Sequence, residues 1–209
     1  MQVLTGLFGS YLVQSLYAIS FTDLSFYKIR RLSKVSSINR QLNVNIVRDA
    51  KVSTYRFTDY FKGFDKVDAV RRIFGEKTEK ALNELRVEFA GFRGYMGVSE
   101  VDGHLMVSAV YLKEGDMVDI YLDVIHELVH VRQFMEGKEL FDDRFSYINR
   151  PTEIEAYRCA VEEARRLGFS DERICEYLKT EWMSDRELQR LAKAVGVDCG
   201  CVKKTKKER

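Results

Sequence analysis

Asp116-Met-Val-Asp-Ile-Tyr-Leu-Asp-Val-Ile-His126-Glu127-Leu-Val-His130-Val-Arg-Gln-Phe-Met-Glu-Gly137 carries the strongest signal in the chain. Val118, Tyr121, Val124, Ile125, Leu128 and Val129 recur at spacings of three and four, the period of an amphipathic helix. Asp116 can cap its start and Gly137 can end it. On that helix His126 and His130 lie four apart on one face, where both rings can hold a single zinc ion. Glu127 directly follows the first histidine. It falls beside the ion and not on it, the place for a general base that takes a proton from a water. Two of the three histidines in the chain are in this string. By composition, a chance HExxH is expected on the order of 0.004 times.

A catalytic zinc site needs a third protein ligand and an open position. A metzincin would place a third histidine six residues after His130, with glycine at 133. The chain has Glu136 and Gln133 there, so that class is excluded. His104 lies in a predicted hairpin, as an exposed strand residue or a group near substrate. The next predicted helix, from Pro151-Thr152 to about Gly168, offers Glu153 and Glu155. Its apolar face is Ile154, Tyr157, Ala160, Val161 and Ala164. Glu153 falls within that face. Glu155 falls opposite, with Arg158, Glu162 and Arg165. A carboxylate turned into a core is costly unless paired or metal-bound, so Glu153 is the expected third ligand. Glu155, the second candidate, has an ordinary role available in a Thr152-x-x-Glu155 capping box.

HExxH followed by Glu153-Ile-Glu-Ala on the next helix is the gluzincin arrangement. Residues 85–168 resemble the archaeal minigluzincins, small latent zinc peptidases. The match is carried by His126-Glu-Leu-Val-His-Val-Arg-Gln133 and Pro151-Thr-Glu-Ile-Glu-Ala-Tyr157. The resemblance implies a zincin-like core of sheet, HExxH helix and glutamate helix, with substrate extended along the upstream sheet edge. In related gluzincins the position four after the ligand glutamate is often Asp or Asn, orienting a histidine. Here it is Tyr157, which either hydrogen-bonds behind His126 or His130 or packs in the core. Tyr147, Arg144 and His104 are candidates for stabilising an oxyanion, with Tyr147 first because it lies between the two metal helices.

Outward from the site, the period changes to two after Leu85. Val87, Phe89, Tyr95, Gly97 and Val98 read as one or two strands. Asp102-Gly103 marks a hairpin, and Leu105, Val107 and Val110 the returning strand. Helix is expected over residues 65–84, interrupted at Gly75, with short strands within 41–57. Ser170 starts a third helix after the site, and Ser184-Asp-Arg-Glu187 is a capping box for a fourth. The fold class is therefore α+β, with a short antiparallel sheet. The expected organisation is a mainly helical extension over 1–84, the metal domain over 85–200 and a basic tail over 201–209.

The chain has 209 residues, 45% hydrophobic and 12% aromatic, enough for a real core and incompatible with wholesale disorder. Residues 1–56 carry eight Lys/Arg against Asp23 and Asp49, whereas residues 57–202 carry 21 basic and 29 acidic side chains. Basic ends around an acidic middle favour contact between these regions, or self-association. No nucleic-acid motif accompanies the basic residues. Residues 1–22 carry no charge. They read as a buried helix over 3–34, or as an anchor with membrane contact through 1–27. Lys28, Arg30, Arg31 and Lys34 would then hold the rest of the chain in the cytoplasm, the expected compartment on either reading. Cys159, Cys175, Cys199 and Cys201 are too sparse for a secreted disulfide scaffold, and Cys199-Gly-Cys201 reads as a loosely ordered pair.

Together these features point to a zinc-dependent peptidase acting on peptide or protein substrates. The resemblance implies a latent form. Residues 1–84 lie outside it, but the apolar surface of residues 1–27 makes them, rather than the basic tail, the expected cover of the cleft, directly or through self-association. Two alternatives stand beside this: a protease dedicated to one regulatory partner, as in ImmA/IrrE-like proteins, and a non-catalytic zinc-binding regulator on the same scaffold.

Overall fold

Local capping sets where the two long helices begin and end. The computed structural model describes residues 42–92 and 94–200. The Asp116 carboxylate accepts from the backbone N–H groups of Val118 and Asp119 and so starts a helix over Met117–Met135. At its far end Gly137 takes a left-handed φ of 73°. Gly137 N–H donates to the Phe134 carbonyl and Lys138 N–H to the Gln133 carbonyl, the paired bonds of a Schellman turn. The helices after the site start as expected, with Ser170 and Ser184 as caps. Ser184 and Glu187 bond reciprocally. The expected Thr152–Glu155 box does not form. The Thr152 hydroxyl donates to the Leu140 carbonyl, and Glu155 is drawn to Arg132, Gln133 and Lys138.

In chain order the elements are β1 (Asn45–Ile46), β2 (Ser53–Arg56), α1 (Phe57–Tyr60), β3 (Phe61–Lys62), α2 (Asp68–Phe74), α3 (Thr78–Glu84) and β4 (Arg86–Ala90). Then come β5 (Met96–Val98), β6 (Leu105–Ser108), α4 (Ala109–Glu114), α5 (Met117–Met135), α6 (Pro151–Arg166), α7 (Asp171–Leu178) and α8 (Asp185–Ala194). The fold is α+β with a small sheet. Gly75 separates α2 from α3, as its position in the sequence indicates. Val110, expected in a returning strand, lies instead in α4. The Ser108 hydroxyl accepts from Tyr111 N–H and turns the chain into helix one residue after the strand ends.

Four strands form one sheet in the order β2-β4-β6-β5, and β1 pairs with β3 separately. An antiparallel sheet is expected from the sequence, but this one is mixed, because β4 and β6 run parallel. The chain leaves β4, runs back along the edge as β5, and returns through the hairpin so that β6 lies between them. Gly103 is required in that hairpin. Its φ is +74°, and a Cβ there would meet the Phe134 ring of α5 at 2.3 Å.

The sheet also crosses the boundary expected at residue 84. β2 pairs along its length with β4, Ser53 opposite Phe89. Phe57, Phe61 and Phe64 are fully buried and pack ring against ring: Phe57 stacks on Phe61 at 4.9 Å, and Phe64 meets both edge-on. Phe64 meets Tyr121 of α5 at 5.6 Å. Residues 42–84 therefore share one core with α5 and α6. The expected helix over 3–34 and the 1–27 segment lie outside the described residues. Among the described residues no helix is long and apolar enough to cross a membrane. Cys199, expected in a loose pair, is buried and disulfide-bonded to Cys175 of α7, 24 residues back in sequence. Cys201 lies outside the described residues.

A single core makes a specific demand. Phe57→Ala should cost about 3–5 kcal/mol, the range for emptying a buried phenylalanine site. Urea unfolding followed by far-UV circular dichroism and by fluorescence of the sole tryptophan, Trp182, should give one coincident, shifted transition. Two separated transitions would show that residues 42–84 fold independently.

Candidate metal centre

α5 and α6 pack face to face, and a buried bond between them sets their relation. The Tyr121 hydroxyl donates to Glu163 Oε1 at 2.7 Å, and Arg166 holds the same carboxylate at 2.6 and 2.8 Å. His126 and His130 follow on α5, five and nine residues beyond Tyr121. On α6, Glu153 lies in the first turn. The helical wheel placed Glu153 inward and Glu155 outward, and the side chains follow it.

His126 Nε2 lies 3.0 Å from His130 Nε2, and Glu153 Oε2 lies 3.4 Å from the first and 3.5 Å from the second. Ligands held tetrahedrally at zinc distances of about 2.0–2.1 Å would stand about 3.3 Å apart. All three residues are buried. Among the described residues neither Glu153 Oε2 nor His126 Nδ1 has a hydrogen-bond partner. An unsatisfied buried carboxylate oxygen aimed between two imidazole nitrogens is costly without a cation. His126, His130 and Glu153 can hold a metal ion.

The charges respond to this crowding. Burial opposes ionisation of Glu153, but the two histidines beside it outweigh burial and hold the carboxyl well below its usual range. Burial likewise opposes a charged His130, yet the Glu153 carboxylate raises it to about 9. Burial lowers His126. Glu127 is pushed up to about 8, mainly by burial, with Glu153 and Asp123 adding to it.

A cavity of about 140 Å³ opens onto this group. Its floor is His126, Glu127, His130 and Glu153, and one wall is Met96, Gly97 and Val98 of β5. The loop between α5 and α6 supplies Leu140, Phe141 and Tyr147. Glu127 therefore faces the same space as the three donors without being one of them. β5 is an edge strand of the sheet. Ser108 N–H donates to the Tyr95 carbonyl and Ser99 N–H to the His104 carbonyl, while Met96 and Val98 stand opposite Val107 and Leu105. By the alternation of an antiparallel ladder, the N–H and C=O of Met96 and Val98 point away from β6.

Of the three oxyanion candidates, only Tyr147 lines the cavity. Arg144 is exposed and paired with Asp142. His104 bridges Asp102 at 2.5 Å and Glu88 at 3.1 Å on the sheet. Tyr157 makes no hydrogen bond behind a histidine. Its ring packs edge-on against His126 at 4.4 Å, and its hydroxyl meets that of Tyr147 at 2.9 Å. Burial raises both phenols, with Glu153 adding to the effect. The hydrogen bond behind His130 comes instead from Gln133, whose Oε1 lies 2.8 Å from Nδ1. Its spacing of three from His130 puts it on the same helical face, a signal present in the sequence.

No protein family, curated protein or solved structure matches this chain.

If these three side chains form one site, the protein should bind one zinc per chain. His126→Ala and Glu153→Ala should each abolish tight binding, measured by competition with a chromogenic chelator. Zinc should also raise the thermal midpoint of the wild-type protein. Full binding by Glu153→Ala together with its loss in Glu155→Ala would reverse the ligand assignment.

Proposed function

We infer that the protein is a zinc-dependent metallopeptidase of gluzincin type. The observation that carries this reading is the placement of Glu127, a buried carboxyl that shares the cavity of the His126–His130–Glu153 group but takes no part in it. A purely structural zinc site is closed by four protein ligands. Three donors beside a cavity leave a position for reactants. A small sheet with its edge strand at the site, an HExxH helix and a glutamate helix together support a zincin-like core.

Zinc in such a site supplies a water that ionises near neutral pH and a Lewis acid for a carbonyl oxygen. The residues of the chain do the rest. Glu127, which burial alone would keep protonated near neutral pH and a neighbouring dication would ionise, takes a proton from the attacking water and returns it to the leaving amine nitrogen. Tyr147, its hydroxyl held by Tyr157, donates to the carbonyl oxygen as that atom gains charge. The outward N–H and C=O groups of Met96 and Val98 pair with an extended peptide, as an added strand. Met96, Val98, Leu140 and Phe141 give that cleft apolar walls.

Latency belongs to the same proposal, and the fold changes how it is tested. Removing residues 1–84 would take away β2 and the Phe57–Phe61–Phe64 cluster, so the cut belongs before Leu42. The zinc-loaded full chain and residues 42–209 should be assayed on a fluorogenic peptide library. Cleavage should rise when residues 1–41 are removed. Glu127→Gln should keep its zinc and lose activity by about 10²–10⁴-fold or more. Tyr147→Phe should lower kcat by about 10²–10³-fold with little change in KM. Loss of zinc in Glu127→Gln would make that residue a ligand and end this mechanism. Equal activity in a folded 42–209 chain would end the covering role of residues 1–41.

A further inference from the structure

Gln133 is fully buried, and every polar atom of its side chain is engaged. Nε2 donates to the Thr152 carbonyl at 3.1 Å and to Glu155 Oε2 at 2.8 Å. Both partners are acceptors: a backbone carbonyl, and a carboxylate that Arg132 and Lys138 bond from its other sides. Turning the amide over would set its oxygen against two acceptors. Oε1 must therefore face His130 Nδ1, 2.8 Å away, and accept its proton. With the hydrogen on Nδ1, the lone pair of His130 is on Nε2, the atom that points at His126 and Glu153.

Glu155 is itself anchored. Arg132 donates to its Oε1 at 2.5 Å and Lys138 to its Oε2 at 3.2 Å. Both cations also reach Glu136. Lys138 is the residue whose backbone N–H closes the Schellman turn onto the Gln133 carbonyl. The end of α5 and the first turn of α6 thus meet on one amide. His126 has no equivalent: its Nδ1 lacks a partner among the described residues, and the Tyr157 ring packs against it.

We propose that Gln133 is a positioning residue for the metal centre, fixing the tautomer and ring direction of His130, with Glu155 as its anchor through Arg132 and Lys138. This rests on the metal-centre reading above. The amide has a further consequence. A carboxylate at position 133 would satisfy His130 but confront the Thr152 carbonyl and Glu155.

The test is zinc affinity of the full chain, by chelator competition, with circular dichroism of each metal-free variant as the folding control. Gln133→Leu should weaken zinc about 10–100-fold, the usual cost of losing a residue that orients a ligand. Gln133→Glu should be weakened similarly. The double variant Gln133→Glu/Glu155→Gln removes the repulsion from Glu155, though not that from the Thr152 carbonyl, and should bind zinc more tightly than Gln133→Glu. Proton spectra of the zinc-loaded protein should show a downfield, hydrogen-bonded His130 Nδ1–H resonance in the wild type that moves upfield in Gln133→Leu. If Gln133→Leu binds zinc like wild type while His126→Ala does not, the proposal is wrong and the metal site stands. If the double variant is folded and no tighter than Gln133→Glu, the proposal is also overturned. If His126→Ala binds as well as wild type, the metal reading itself falls and the proposal with it.

Discussion

Three electron-rich atoms, two imidazole nitrogens and a carboxylate oxygen, lie within 3.5 Å of one another in a buried space. Nothing in the apolar surroundings favours this, so the packing of α5 against α6 must impose it. The Tyr121–Glu163–Arg166 bonds are part of that imposition: they hold the helices at a fixed separation a turn or more away from the site. The sheet is subordinate to the same contact. Gly103 lets the β5–β6 hairpin approach the Phe134 ring of α5, which brings the edge strand β5 to the rim of the cavity. A larger residue at position 103 would move the hairpin and the cavity wall together.

The parts of this arrangement that could be read in the sequence are those set by near neighbours. The caps of Asp116, Ser170 and Ser184 depend on residues two or three positions away, and they formed where the residues indicate. The inward turn of Glu153 followed from the helical wheel of residues 151–166 alone. Features set by distant partners were not legible. The parallel β4–β6 pair depends on β6 entering between two earlier strands. Phe57, Phe61 and Phe64 sit in short, mixed segments whose pattern does not announce a share in the core of α5. Cys175 and Cys199 meet only because α7 and the C-terminal segment pack together.

Thr152 and Glu155 show the same limit at close range. Their spacing is that of a capping box, worth on the order of 1 kcal/mol. The competing partners are two cations and a buried amide, and three bonds to one carboxylate together outweigh a single cap bond even where solvent screens the partly exposed Lys138 pair. Glu155 therefore leaves the local motif for the tertiary one. Gln133 was passed over for a related reason. Its type excludes a metzincin, and only the positions of Thr152 and Glu155 show what its amide does.

Two glutamates two residues apart on α6 thus have opposite surroundings, and the difference sets the charge left for an ion. The charge of Glu155 is met by Arg132 and Lys138, so little of it reaches the cavity. Gln133 adds no charge beside His130. Glu153 is then the one ionised carboxylate directed at the donor triangle. A dication held by two neutral imidazoles and one carboxylate keeps a net positive charge. On the proposed peptidase reading, ligands that neutralised the ion would bind it at the expense of its pull on a carbonyl oxygen. The neutral amide at position 133 and the paired glutamate at 155 both favour retaining that charge, while still giving His130 the hydrogen bond that orients it.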